Sequence, residues 1–83
     1  MPNSSRYRWQ ARWSVDRTAG TARHEFGIVF TCAGPRARAV DADQALGTLA
    51  ARNGRHNATR MLARLVREAA AVFSAADPRE ARL

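Results

Sequence analysis

The chain has 83 residues and a formal charge of +7, and its single cysteine, Cys32, excludes an intrachain disulfide. This length predicts one domain with one hydrophobic core. The first five residues lack an apolar segment, and the alanine-rich stretch at 69–76 is too short to cross a bilayer. We therefore expect a cytoplasmic protein with no membrane partner.

All fourteen basic residues are arginine. A GC-rich coding sequence favours arginine over lysine, so we attribute the missing lysine to codon bias. That bias does not explain the excess of positive over negative charge. The excess indicates an anionic partner, because arginine forks suit phosphate and carboxylate groups.

Residues 6–15 alternate between polar and apolar side chains, which predicts a strand with two unlike faces. The apolar face carries Trp9 and Trp13 and requires a cover. The polar face carries three arginines: Arg6, Arg8 and Arg12.

A polar turn at 16–21 leads into a second alternating run at 23–32, which predicts a hairpin of two long strands. Both apolar faces must lie on the same side, so few registers are possible. We prefer Val15 opposite Ala22, which also brings Arg12 to Glu25. The remaining predicted pairs are Trp13 with His24, Ala11 with Phe26, Trp9 with Ile28 and Tyr7 with Phe30.

The third strand follows a turn at 33–35 that contains glycine and proline. Residues 36–40 alternate again, and this pattern places Arg36 and Arg38 on the same open face as Arg23. Alanine has a weak preference for strands, so this strand has the least support of the three.

Two helices follow. Asp41 and Gln44 have the spacing of a capping box for a helix that ends at Asn53 and Gly54. Within it, Gly47 is explained by a neighbouring element that packs closely. Asn57 is the predicted N-cap of a second helix, which continues to about residue 76 before the Asp-Pro pair at 77–78.

The predicted fold class is α+β: a three-stranded antiparallel β-meander followed by two α-helices packed on its aromatic face (β-β-β-α-α). Residues 6–76 form the single domain, between a flexible N-terminus at 1–5 and a frayed tail at 77–83. The second helix carries a wide apolar face, which is also a possible seam for a homodimer.

The sequence contains no motif for catalysis, for a metal or for a cofactor. His24 and His56 belong to different elements, and Cys32 has no second cysteine to pair with at metal-binding spacing. We expect His24 at the sheet end or core edge, His56 in a solvated turn, and Cys32 as a packed thiol. We therefore expect a protein that is not an enzyme.

A basic surface remains. The open sheet face is predicted to bind nucleic acid or an acidic partner through six arginines: Arg6, Arg8, Arg12, Arg23, Arg36 and Arg38. The competing interpretation is that an open sheet face is polar in any case, and that arginine is the polar residue this composition supplies. On the second helix, a weaker second patch is better explained as a solvated helix face than as a second nucleic-acid contact. It consists of Arg60, Arg64 and Arg67.

The β-β-β-α order with a cationic sheet resembles the arm-type three-stranded DNA-binding domains, which place a sheet in the major groove. The similarity covers the first half of the chain and depends on four arginines: Arg8, Arg12, Arg36 and Arg38. Gly20, His24 and Phe26 before an alanine-rich helix are similar to the second half of a double-stranded RNA-binding domain. That family begins its last helix with lysines, whereas this helix begins with acidic residues at 41 and 43.

We expect a non-catalytic, small basic domain that binds nucleic acid, with DNA as the favoured partner. The alternative is a small protein-binding inhibitor or accessory factor, of the type that mobile elements use against bacterial defence, which docks on an acidic protein surface. Both hypotheses use the same arginines, so the sequence leaves them open.

Overall fold

The computed structural model describes residues 9–75, which form a four-stranded antiparallel sheet followed by two helices. A short 3-10 turn at Gln10–Arg12 precedes the sheet. The strands are β1 (Trp13–Asp16), β2 (Thr21–His24), β3 (Val29–Ala33) and β4 (Arg36–Ala39), and the helices are α1 (Ala42–Asn53) and α2 (Arg55–Ala75). The α+β class is confirmed, whereas the predicted number of three strands is wrong. Residues 1–5 and 77–83 lie outside the described residues.

The extra strand arises because the predicted strand at 23–32 is a tight hairpin. The His24 amide donates to the Ile28 carbonyl at 2.8 Å, and the Gly27 amide donates to the His24 carbonyl at 2.8 Å. Gly27 has a φ of 89°, which suits the last position of a three-residue loop. Ala22 pairs with Phe30, and both are even-numbered. The even-numbered apolar side chains therefore face the inner side of the sheet both before and after the turn. The alternation therefore hides the turn.

The first strand is shorter than predicted. The Arg12 amide donates to the Trp9 carbonyl at 3.2 Å, which closes the 3-10 turn and leaves only β1 extended. The register of Val15 with Ala22 is confirmed, as is that of Trp13 with His24. The predicted pairs of Trp9 and Ala11 are wrong, because β2 ends at His24. Phe30 pairs with Ala22 and Ala39 instead of Tyr7, which lies outside the described residues.

The last strand agrees with its prediction to within one residue, since β4 covers Arg36–Ala39. Gly34 in the preceding turn has a φ of 59°, as the first position of a type II′ turn requires. Asp41 caps α1 as predicted, because its Oδ1 accepts from the Gln44 amide at 3.1 Å. No described helix is both long and apolar enough to span a membrane.

The connection between the helices differs from the prediction. Gly54, with a φ of 88°, is the only residue between α1 and α2. Helix α2 therefore begins before Asn57, which is not its N-cap. The Asn57 side chain instead donates to the Asn53 carbonyl at 3.1 Å and ties the end of α1 to the first turn of α2. His56 consequently lies on an exposed helical turn.

The core lies between α2, α1 and the inner face of the sheet. Phe30 and Leu49 are its largest fully buried side chains. Several alanines let the helices approach the sheet closely. The buried apolar residues are Trp13, Ala22, Ile28, Phe30, Ala45, Leu49, Ala58, Leu65, Ala69 and Val72. The buried members of the α2 apolar face are therefore used inside the chain and do not form a free dimer seam.

Gly47 is not a site of close packing, contrary to the prediction. A Cβ added at this position meets no atom within 4 Å, and the residue is exposed on α1. The glycine therefore only weakens the helix, since it has more conformational freedom to lose on folding than alanine.

We expect Gly47→Ala to raise the free energy of unfolding by about 0.5–1 kcal/mol, because alanine is the better helix former and has room here. Urea denaturation followed by circular dichroism measures this change. Gly27→Ala is the matched control and should be destabilising, since its φ of 89° is unfavourable for any residue with a Cβ. A destabilised Gly47→Ala variant would contradict the open environment.

Candidate functional site

The outer face of the sheet carries polar and small side chains, because the helices cover only the inner face. In β2, for example, Ala22 and His24 are buried while Arg23 is exposed. The same alternation in the other strands defines an open face made of Ser14, Asp16, Thr21, Arg23, Val29, Thr31, Ala33, Arg36 and Arg38.

Three arginines are distributed over this open face. Arg23 lies between Ser14 of β1 and Val29 of β3. In β4, Arg38 lies opposite Thr31, and Arg36 lies opposite Ala33. All three arginines are exposed, and none forms an ion pair with another residue in the 9–75 region.

A shallow groove of about 350 Å³ runs along the β3–β4 hairpin. Its lining consists of Thr31, Cys32, Ala33, Arg36, Ala37 and Arg38, so residues of both sheet faces contribute to it. Two arginines therefore border a groove whose other side chains are small.

The structure does not place all six predicted arginines on this face. Arg6 and Arg8 lie outside the described residues. Arg12 is in the 3-10 turn at the end of the sheet, where its Nε lies 3.4 Å from Glu25 Oε2. The register prediction that joined Arg12 to Glu25 is confirmed, and this contact offsets the charge of Arg12. The candidate site thus contains Arg23, Arg36 and Arg38.

The predicted second patch is separate from the open face. Arg60, Arg64 and Arg67 are exposed on α2, on the side away from its buried residues. The sheet and α2 therefore lie between the two basic surfaces. Arg64 also forms an ion pair with Glu68, at 3.1 Å from Nε to Oε2.

A chain of ring contacts supports the sheet from its inner side. His24 is only 3% exposed, and its ring meets Trp13 edge to face at 4.8 Å and Phe26 at 4.5 Å. The His24 Nδ1 accepts from the Phe26 amide at 3.2 Å. Arg52 of α1 lies 3.9 Å above the Phe26 ring. His24 is therefore a buried structural residue at the end of β2, as predicted for a core-edge histidine.

Burial lowers the pKa of His24 from its ordinary value of 6.5, against the opposing effect of the Glu25 and Glu68 carboxylates. Burial also raises the pKa of the Cys32 thiol, which lies 4.0 Å from the Ala69 carbonyl. Both groups are therefore held in their neutral forms. Among the described residues, no group of three or more metal-binding side chains occurs.

Sequence reasoning missed the contacts of Glu68 and Arg17. Glu68 Oε1 accepts from Trp13 Nε1 at 3.1 Å, and its side chain is 16% exposed. Arg17 donates to the Phe73 carbonyl at 2.7 Å and lies 4.5 Å above the Phe73 ring. The available signal was the position of Glu68, three residues after Leu65 and four before Val72, beside the apolar face of the helix.

We expect Glu68→Ala to lower the free energy of unfolding by about 1–3 kcal/mol, because Trp13 Nε1 loses its acceptor in a partly buried site. Glu68→Gln keeps an acceptor and should lose less than about 1 kcal/mol. The control Arg64→Ala should lose no more than about 0.5 kcal/mol, since the ion pair is exposed on the arginine side. Denaturant titration at neutral pH measures all three. Equal losses for Glu68→Ala and Glu68→Gln would show that charge, and not the acceptor, matters.

The lowered pKa of His24 predicts a stability that depends on pH. The unfolded chain protonates His24 near 6.5, whereas the folded chain does so only at lower pH. The contribution is therefore fully present above pH 6.5 and decreases as the pH falls from there toward the folded pKa. His24→Asn keeps a side-chain acceptor without a titrating ring. The difference in unfolding free energy between the unsubstituted protein and His24→Asn should become smaller as the pH falls below 6.5. A difference that stays constant with pH would contradict this.

Comparisons of the chain with protein-family models, with curated proteins and with solved structures give no match.

Proposed function

We propose that the open face binds nucleic acid through contacts with the phosphate backbone. One observation carries the proposal: Arg23, Arg36 and Arg38 are exposed on one sheet face without ion pairs in the described part of the chain. Like charges on one face repel one another, and a polyanion relieves this repulsion. Arginine also forms paired hydrogen bonds to phosphate oxygens.

The spacing of these arginines suits an extended anion. Arg36 and Arg38 are two residues apart in β4, so their Cα atoms are roughly 6.6 Å apart. Arg23 lies two strands away, at a lateral distance of roughly 10 Å. Each DNA strand carries a phosphate about every 3.4 Å along the helix axis. Three guanidinium groups with this distribution can therefore contact several phosphates of one backbone.

The width of the sheet favours contact with the backbone over insertion into a groove. Four strands span about 14 Å, and the major groove of B-DNA is about 12 Å wide, enough for a two-stranded ribbon. This differs from the arm-type domains, which place a sheet in the groove. Phe30 of β3 is fully buried in the core, so its ring is not available to stack on bases. The geometry therefore supports duplex binding with little sequence preference.

We expect the protein to bind duplex DNA at low salt, with an affinity that falls as salt concentration rises, because phosphate contacts release counterions. Arg23→Ala, Arg36→Ala and Arg38→Ala should each lower the slope of log affinity against log salt by about 0.9. Fluorescence anisotropy with a labelled duplex measures the slope.

The triple substitution of Arg23, Arg36 and Arg38 to alanine should abolish most of the salt dependence. Its matched control is the triple substitution of Arg60, Arg64 and Arg67 to alanine, which removes the same charge from α2. It should leave the slope nearly unchanged. Equal losses from the two triple variants would show binding by net charge alone. The absence of binding to DNA and RNA duplexes at low salt would overturn the proposal.

A further inference from the structure

Strand β4 is an edge of the sheet, and its outward backbone groups are free within the described residues. The sheet order is β1-β2-β3-β4, so β4 has a partner on one side only. The Val40 amide donates to the Val29 carbonyl at 2.9 Å, and Arg38 lies opposite Thr31. Because bonding alternates along an antiparallel strand, residues 36, 38 and 40 bond to β3. The N–H and C=O groups of Ala37 and Ala39 therefore point away from the sheet.

The same edge carries an exposed apolar residue. Val40 directly follows β4 and is 62% exposed. Among the described residues it is the large hydrophobic side chain that is classed as exposed. Beside it lies a cleft of about 340 Å³ whose lining includes Val29, Phe26 and Ala45. Apolar exposure at a sheet edge is a feature of strand-binding surfaces.

From these features we propose that β4 accepts an extended acidic segment of a partner protein as a fifth strand. Main-chain hydrogen bonds from Ala37 and Ala39 would give affinity, as in other cases of strand addition. Side chains of the incoming strand that lie beside Arg36 and Arg38 would be acidic. The side chain beside Val40 would be apolar and would cover it. The ligand chemistry is thus alternating carboxylates on a β-strand.

A second copy of the chain does not fit this edge. In the two antiparallel registers that join the outward groups of β4 and give it the greatest overlap with itself, Arg36 lies opposite Arg38 of the copy, or Arg38 lies opposite its own copy. Like charges directly opposite each other destabilise a strand pair. Basic side chains on an edge strand are one way in which proteins prevent self-association. The charge that disfavours a second copy favours an acidic strand.

This site differs from the proposed nucleic-acid surface, although both include Arg36 and Arg38. Nucleic acid would contact guanidinium groups across the face, including Arg23 of β2. A bound strand would require the outward amides of β4 and would not reach Arg23, which lies two strands away. The two proposals can therefore fail independently.

The test uses the full chain labelled with ¹⁵N and a blocked ten-residue peptide of alternating glutamate and threonine, with valine in place of the first and last glutamates so that an apolar side chain can cover Val40. The charge control is the same peptide with lysine in place of each remaining glutamate. We expect the glutamate peptide to slow hydrogen exchange of the Ala37 and Ala39 amides by at least about tenfold at saturation, because those amides become bonded. The lysine peptide should have no effect.

Variants separate strand addition from attraction by charge. Arg38→Ala should lower the affinity for the glutamate peptide about two- to fivefold, as expected for the loss of one cross-strand charge pair. Arg23→Ala removes the same charge from the same face and should leave peptide affinity unchanged while reducing duplex binding. Ala39→Pro removes one outward N–H group and should lower the affinity for the glutamate peptide by at least about tenfold. Its fold is checked by its amide spectrum.

A glutamate peptide N-methylated at alternate residues tests the same bonds without changing the protein. Loss of binding on N-methylation supports strand addition. The proposal is overturned if the N-methylated peptide binds equally well, or if the Ala37 and Ala39 amides remain unprotected. Protection of these amides that rises with protein concentration alone would assign the edge to a second copy instead.

Discussion

The Trp13 side chain connects the elements of this fold. Its ring meets His24 of β2 at 4.8 Å and Phe30 of β3 at 5.4 Å, while its Nε1 donates to Glu68 of α2 at 3.1 Å. One residue thus fixes the first strand against two others and holds the long helix across the inner face. Aromatic pairs with these geometries stabilise a core beyond their burial alone. The outer face is left open because the helices pack on the inner face in this way.

The arginines divide into structural and free groups as a result of this packing. Arg52 lies over Phe26, Arg17 bonds to the Phe73 carbonyl, and Arg64 pairs with Glu68. These guanidinium groups are held by contacts within the chain. The guanidinium groups of β2 and β4 have no such role in the described residues. Net charge alone would have treated all of them as equal, whereas the fold separates them.

The sequence allowed the register of the first hairpin to be predicted, because only one parity of β1 can face the same side as Ala22. It did not reveal the turn at Gly27, since pairing of even with even residues keeps the alternation intact. The late start of the first strand at Trp13 was also hidden, because the 3-10 turn at Gln10–Arg12 has no sequence pattern of its own. The site prediction was limited in the same way. The alternation of side chains correctly placed Arg23, Arg36 and Arg38 on one face. It could not exclude Arg12 from that face, because the position of Arg12 depends on where β1 begins.

Every strand pair in this sheet joins neighbours in the chain, and the connections are short. Contacts that are close in sequence cost little loop entropy, so such a topology favours fast folding. Each strand after the first pairs with the edge of its predecessor, and β4 forms the edge at one end of the described sheet. The backbone chemistry that adds β4 to β3 is then repeated at the free side of β4. An open meander therefore ends in an edge that presents the same kinds of backbone donors and acceptors as the edge of β3 that β4 covers.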